Sequence, residues 1–233
     1  MVVSVIIGGT RGIGKVVKKH LIDRGDLVYT VSRNNSKQKN HISCDITECG
    51  ESIFNSIDKV DNIIFAQRYR GDNWDKTFDV TVKAVNNIVK VAISKFSRGG
   101  SIVIISSNAS QFILEEQPAE YHASRAALDA LMRYHAVAYG KKGIRFNSIL
   151  PSTLIKPENV DFFTKDNKVR KMIENITPLN RMGSADDIAN IVDFLCSQKS
   201  SFLTGNSFMA DGGLSLIGQE TIARNLLDCN HEK

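Results

Sequence analysis

Short apolar, β-branched runs separated by segments of helical period set the tightest limit on what this chain can fold into. Seven such runs fall at residues 2–7, 27–32, 41–44, 62–66, 101–106, 145–150 and 207–210. Strands covered on both faces read as near-continuous Val/Ile runs, and parallel neighbours need a crossover long enough to hold a helix. Between the first two runs Ile13, Val16, Val17 and Leu21 recur at helical spacing. Lys15, Lys18, Lys19 and Arg24 fall largely off that stripe, and Gly25 supplies the stop. Residues 74–96 and 121–140 are the longest helical stretches. A further helix opens at Ser184, with Asp187 three residues on in the manner of a capping box. The pattern predicts an α/β fold: a doubly wound, seven-stranded parallel sheet with helices on both faces, in one domain over residues 1–233. The less regular segment at about 152–180, with Phe162 and Phe163 among charges, is expected to form either a substrate lid at the carboxyl end of a strand or a surface helix pair packing its phenylalanines on the core.

The charge has to be located before it can be interpreted. The 233 residues carry a formal net charge of +5, and 42% of them are apolar, an ordinary globular balance. Eight basic residues (Arg11, Lys15, Lys18, Lys19, Arg24, Arg33, Lys37 and Lys39) lie within residues 11–40 against Asp23 and Asp26, which accounts for the whole excess. No aromatic-lined basic groove is legible, so no nucleic-acid partner is expected. The apolar run at 2–7 has no basic segment before it and is far too short to span a bilayer, so no membrane association is expected either. Cys44, Cys49, Cys196 and Cys229 show neither C-x-x-C nor Cys/His ligand spacing. Neither a metal site nor a disulfide framework is expected, and the four read as thiols of a cytoplasmic protein.

Gly8-Gly9-Thr10-Arg11-Gly12-Ile13-Gly14 directly follows the first strand and opens the first helix. Glycines there let the backbone turn tightly and approach a pyrophosphate, whose charge meets the free N–H groups of the helix N-terminus. This loop resembles that of the short-chain dehydrogenase/reductase family, and the resemblance recurs in order along nearly the whole chain. Cys44-Asp45-Ile46 is similar to the family's adenine-contacting motif, Ser106-Ser107 ends the fifth strand where the family carries its catalytic serine, and Tyr121-x-x-x-Arg125 stands where it carries Tyr-x-x-x-Lys. The segment 144–152, Pro178-Leu179-Asn180-Arg181-Met182-Gly183, Leu203-Thr204-Gly205 and Asp211-Gly212-Gly213 resemble its later signatures.

The resemblance implies a Rossmann fold, a nicotinamide cofactor and hydride transfer between that cofactor and a small carbonyl or alcohol substrate. It implies that Gly8, Thr10, Arg11, Gly12, Ile13 and Gly14 hold the phosphates, and that Asp45 and Ile46 lie at the adenine. Ala66, Gln67, Pro151, Ser152 and Leu154, with Tyr121 and Arg125, line the remainder of the cofactor. Tyr121 would be the acid, Ser107 would polarise the substrate oxygen, and Arg125, one turn on along the same helix face, would lower the phenol's pKa of about 10. Charge decides between the two cofactors. The end of the second strand offers Ser32 and Arg33 and no carboxylate, and Arg11 reaches the same place, which predicts NADP(H) over NAD(H). The family also implies a homo-oligomer, a dimer or tetramer, with Ala123, Ala126, Ala127 and Ala130 either a small-residue face for close approach or packed on the sheet.

Departures from the family pattern gather at the nicotinamide end. Lysine has become Arg125, and the asparagine of the helix after the fourth strand has become Thr81, which implies loss of a backbone kink. The Asn-Asn-Ala-Gly turn is reduced to Phe65-Ala66-Gln67, and Pro-Gly has become Pro151-Ser152, with Lys156 following. A carbonyl reductase is the first expectation, and a non-catalytic NADP(H)-binding protein of the same build is the second. Glu115, Glu116 and Glu120 read first as a solvated acidic loop and second as a feature favouring a cationic substrate.

Overall fold

The structure, a computed structural model, describes residues 1–35, 38–50, 52–165 and 167–228, without the side chains of 97 and 98. Lys37 and Cys229 lie outside these residues. The strands are β1 (Val3–Ile7), β2 (Leu27–Ser32), β3 (His41–Ser43), β4 (Val60–Phe65), β5 (Phe96–Ile105), β6 (Arg145–Pro151), β7 (Leu154–Ile155), β8 (Gly183–Ser184) and β9 (Ser207–Ala210). Seven of them form one parallel sheet in the order β3-β2-β1-β4-β5-β6-β9, and β7 and β8 make a separate two-stranded pair. The order reverses direction between β1 and β4, and in open α/β sheets a crevice opens at the carboxyl ends of the strands where it does so.

Alternation along the central strands sends successive side chains to opposite faces. Val5, Ile63 and Ile102 pack on one side, and Ile6, Ile64 and Val103 on the other. The first face is covered by α3 (Ala84–Ala92) and α4 (Ala119–Gly140) through Val85, Ile88, Leu128 and Met132, with Phe146 of β6 fully buried among them. The second is covered by α1 (Gly12–Asp23) and α7 (Ala185–Leu195) through Val17, Leu21, Ile188, Val192 and Leu195. Burying each such side chain contributes about 1.5–3 kcal/mol, so the sheet and its four covering helices form the rigid frame.

The stretch 74–96 is not one helix. It consists of α2 (Trp74–Phe78), a π turn at Asp79–Lys83 and then α3, and β5 starts at Phe96, earlier than the apolar run suggests. The kink that Thr81 was expected to remove is therefore present, with Thr81 buried inside it. A π turn offsets the backbone ladder by one residue whatever the central side chain, and the nearby Val80 carbonyl accepts from Gln67 Nε2 at 3.4 Å.

Cys44 and Cys49 are joined in a disulfide, with Cα atoms 6.1 Å apart, which corrects the expectation of free thiols. The reason is local. Asp45 Oδ1 accepts from Thr47 N at 3.1 Å, and the Asp45 carbonyl accepts from both Glu48 N and Cys49 N, so one tight turn brings the second sulfur back beneath the first. Cys196, by contrast, is a thiol whose burial pushes it up to about 12.

The capping box at α7 forms as its sequence spacing predicts. Ser184 Oγ accepts from Asp187 N at 3.2 Å, and Asp187 Oδ2 accepts from Ser184 N at 2.7 Å. Arg181 adds a two-pronged pair of 2.8 Å bonds to the same carboxylate, which with the Ser184 contacts holds it down at about 2 against the burial that would raise it. A carboxyl group depressed in the folded state stabilises above its ordinary pKa of about 4, and the contribution disappears as pH falls from there through 2. Asp187→Asn is expected to lower the Tm at neutral pH and to flatten the acid limb of a Tm-against-pH curve between about pH 4 and 2, as read by circular dichroism.

α5 (Val160–Thr164) and α6 (Lys168–Ile176) follow β7 within the segment 152–180, and α8 (Gln219–Asp228) comes after β9. Among the described residues no helix is long and apolar enough to cross a membrane.

Candidate functional site

At the reversal of strand order the carboxyl ends of β1, β2, β4, β5 and β6 surround a cleft of about 490 Å³. Its floor is the glycine loop. Gly8 has φ +88°, and a Cβ there would lie 2.8 Å from Gln67 N, against the backbone of the loop after β4. Gly12 has φ +50°, and its Cβ would lie 2.8 Å from Glu158 Oε1. A Cβ on Gly14 would run into the Gly8 carbonyl, so Gly14 shapes the loop from behind while Gly8, Thr10, Arg11, Gly12 and Ile13 line the cleft. At residues 8 and 14 a side chain would meet backbone, so glycine is what lets this loop close tightly beneath the cleft.

One arm of the cleft is lined by Ser32, Arg33, Asp45, Ile46 and Arg11. Asp45 is held below the ordinary carboxyl range chiefly by Thr47, whose hydroxyl donates at 2.7 Å and whose N–H adds a second bond, and also by the Arg33 guanidinium. Cys44 lines the same wall, so the disulfide to Cys49 braces the turn that carries Asp45.

The other arm gathers Ala66, Gln67, Ser107, Tyr121, Arg125 and, from the far side, Pro151, Ser152 and Leu154. All the cleft residues expected from the sequence, Gly14 excepted, meet at one cavity. Ser107 precedes a short turn at Asn108–Ser110 and caps it, its Oγ accepting from Ala109 N at 3.2 Å, which fixes the side chain toward the cleft. Tyr121 and Arg125 share one face of α4, with the Arg125 Cζ 5.0 Å from the ring centroid. Arg125 is buried, and its Nη1 donates to the Ile105 carbonyl at 3.4 Å. Burial alone would push the Tyr121 phenol up. The Arg125 guanidinium, the Ser107 hydroxyl, Arg68 and Lys156 together outweigh it, so the phenol lies below its usual value. Behind Arg125, Asp129 lies one turn further along α4 among the hydroxyls of Ser106, Ser110 and Ser148, and its burial raises it.

Sequence reasoning missed Arg68, Tyr69 and Arg70. The loop after β4 is brief, yet it lines the cleft with these three side chains. Arg68 lies over the Tyr121 ring at 4.6 Å and donates to Gln117 Oε1 at 2.9 Å, and Arg70 pairs with Glu158 at 3.5 Å, tying the loop to the segment after β6. The signal was two arginines directly after the fourth apolar run. Of the acidic loop, Glu115 is solvated as expected, Glu116 lines the cleft from its exposed rim, and Glu120 is 9% exposed and so not solvated. Among the described residues no group of three or more His, Cys, Asp or Glu side chains is placed to hold a metal ion.

This build recurs in known proteins. The family described as Enoyl-(Acyl carrier protein) reductase matches residues 51–215. A tropinone reductase homolog of Arabidopsis thaliana is 26% identical over 92% of this chain and 91% of its own length. The L-rhamnose 1-dehydrogenase (NAD(P)(+)) of a Sphingomonas species is 36% identical over 60% of this chain and 56% of its own. A solved short chain dehydrogenase family protein from Francisella tularensis superposes with a TM-score of 0.79 at 26% identity, covering 93% of this chain and 100% of that one.

Proposed function

The chain belongs to the short-chain dehydrogenase/reductase family of oxidoreductases, which use nicotinamide dinucleotides, and from that premise we propose that it is an NADP(H)-dependent reductase of carbonyl compounds. The observation that carries this reading is Tyr121, set at the cleft beside Ser107 and Arg125 with its phenol held below the ordinary value. A phenol lowered in this way is a stronger proton donor than a free tyrosine. The residues present fit the cofactor: the glycine loop brings its backbone to the cleft without side chains at residues 8 and 12, and the first arm, with Ser32, carries two guanidiniums, Arg11 and Arg33, for a 2′-phosphate.

In this proposal Gly8, Thr10, Arg11, Gly12 and Ile13 seat the pyrophosphate on the N-terminus of α1, and Arg11, Ser32 and Arg33 take the 2′-phosphate. Asp45 and Ile46 flank the adenine, and Ala66, Gln67, Pro151, Ser152 and Leu154 position the nicotinamide end. The reduced nicotinamide, when bound, supplies a hydride to the carbonyl carbon. Tyr121 delivers the proton to the carbonyl oxygen, Ser107 donates a hydrogen bond to that oxygen, and Arg125 stabilises the phenolate left behind. Arg125 stays charged throughout, so it acts on the phenol electrostatically and the phenolate regains its proton from solvent. The start of the segment 152–180, through Thr153, Leu154 and Lys156, lines the cleft where the substrate enters.

The test is consumption of NADPH with a panel of ketones and aldehydes. Tight NADPH binding without turnover of any member overturns the proposal.

We also propose a homo-oligomer. Ala126, Ala130, Tyr134 and Val137 leave an exposed row along α4, with Val137 84% exposed and Tyr134 66%. Sedimentation is expected to give a dimer or tetramer, and Val137→Glu is expected to shift it toward the monomer. A wild-type monomer at micromolar concentration overturns this part.

A further inference from the structure

Resting on the reductase reading above, we propose that the substrate is an oxo acid, reduced to the hydroxy acid, whose carboxylate is held beside Tyr121 by Arg68 and Lys156. The two cations come from separate segments, the loop after β4 and the turn after β7, and both line the same end of the cleft. Arg68 lies 4.6 Å over the Tyr121 ring, and Lys156 is close enough for its charge to act on the phenol. Each segment is held in place. Arg68 Nη2 donates to Gln117 Oε1 at 2.9 Å, Lys156 N donates to Asn159 Oδ1 at 2.8 Å, and Asn159 Nδ2 donates to the Leu154 carbonyl at 3.0 Å.

Their charges are available. Among the described residues neither Arg68 nor Lys156 pairs with a carboxylate, whereas Arg70, two residues along, is taken up by Glu158 at 3.5 Å. A guanidinium offers five N–H donors in a planar fork that matches a carboxylate, and among the described residues Arg68 hydrogen-bonds through Nη2 alone. Glu116 is the remaining carboxylate lining this end, and it stands exposed at the rim, so positive charge is in excess around Tyr121. A cationic substrate would meet Arg68, Arg125 and Lys156 together. A neutral one would gain nothing from them, while an anion is both drawn in and oriented. The carboxylate takes no part in the electron balance. The carbonyl gains the hydride and proton already described and the acid group leaves unchanged.

The experiment compares kcat/KM for acetoacetate, 2-oxobutanoate and 4-oxopentanoate, each against its methyl ester, with NADPH. At least one acid is expected to exceed its ester by about tenfold or more, and Arg68→Gln is expected to bring that ratio close to one, chiefly through KM, with Arg68→Lys keeping part of it. Calorimetry gives a readout free of turnover. The same acid should bind to NADP-loaded Tyr121→Phe protein and weaken about tenfold when Arg68→Gln is added. Esters used as well as their acids in every pair, or Arg68→Gln lowering acid and ester alike, overturn this inference and leave the reductase reading standing. Absence of turnover with every carbonyl compound, charged or neutral, overturns that reading and this inference with it.

Discussion

Tyr121→Phe is expected to lower kcat for NADPH-dependent carbonyl reduction by about a thousandfold, because a positioned general acid contributes roughly 10²–10⁴-fold. NADPH affinity should stay within about twofold, since the phenylalanine ring keeps the packing against Arg68 and Arg125 and loses only the hydroxyl. The pH profile carries the sign. Reduction needs the protonated phenol, so the wild-type rate is full at low pH and declines as pH rises through a value below the ordinary tyrosine range. Removing one of the cations that lower the phenol moves this decline upward, and Arg68→Gln should do so while leaving the buried Arg125 in place. Stopped-flow loss of NADPH fluorescence, separated from binding by single-turnover mixing, makes the measurement. A variant retaining more than about a tenth of wild-type kcat would remove Tyr121 from the role of acid.

Loss of cofactor discrimination is the second large effect. In Arg11→Ala/Arg33→Ala the Kd for NADPH should rise about a hundredfold while that for NADH stays nearly constant, because each charge-assisted bond to a phosphate contributes roughly 1.5–3 kcal/mol. Arg33 also faces Asp45, whose ionised form it favours, so part of its charge is already answered within the fold. The single Arg33→Ala change should therefore cost less than half of the combined effect. Added salt should weaken NADPH more steeply than NADH in the wild type and equally in the double variant, since screening acts on the charge pair. Titration of intrinsic fluorescence with both cofactors reads all of this. Equal Kd values for the two cofactors in the wild type would mean that the two guanidiniums are merely solvated.

The parts legible in the sequence are those whose physics is short-range. The glycine loop, the stripe of α1, the Ser184–Asp187 box and the Tyr121–Arg125 spacing each depend on residues a turn apart, and each is found where its spacing puts it. What escaped depends on how loops close. Cys44 and Cys49 carry no familiar motif, and they meet because Asp45 caps its own turn. The π turn at Asp79–Lys83 leaves the apolar pattern of 74–96 nearly continuous, so the break does not show in periodicity. Arg68 could be counted as a charge but not placed, since its position over Tyr121 is set by Gln117, 49 residues away.

The contact between Gly12 and Glu158 reaches beyond the site itself. Any side chain at residue 12 would press on Glu158, and Glu158 in turn holds Arg70 across the mouth. Positions 12, 70 and 158, far apart in the chain, therefore meet at one point of the mouth, where a side chain at residue 12 would displace the Glu158 carboxylate that faces Arg70. Substitutions at 12, 70 and 158 should covary among descendants of this sequence.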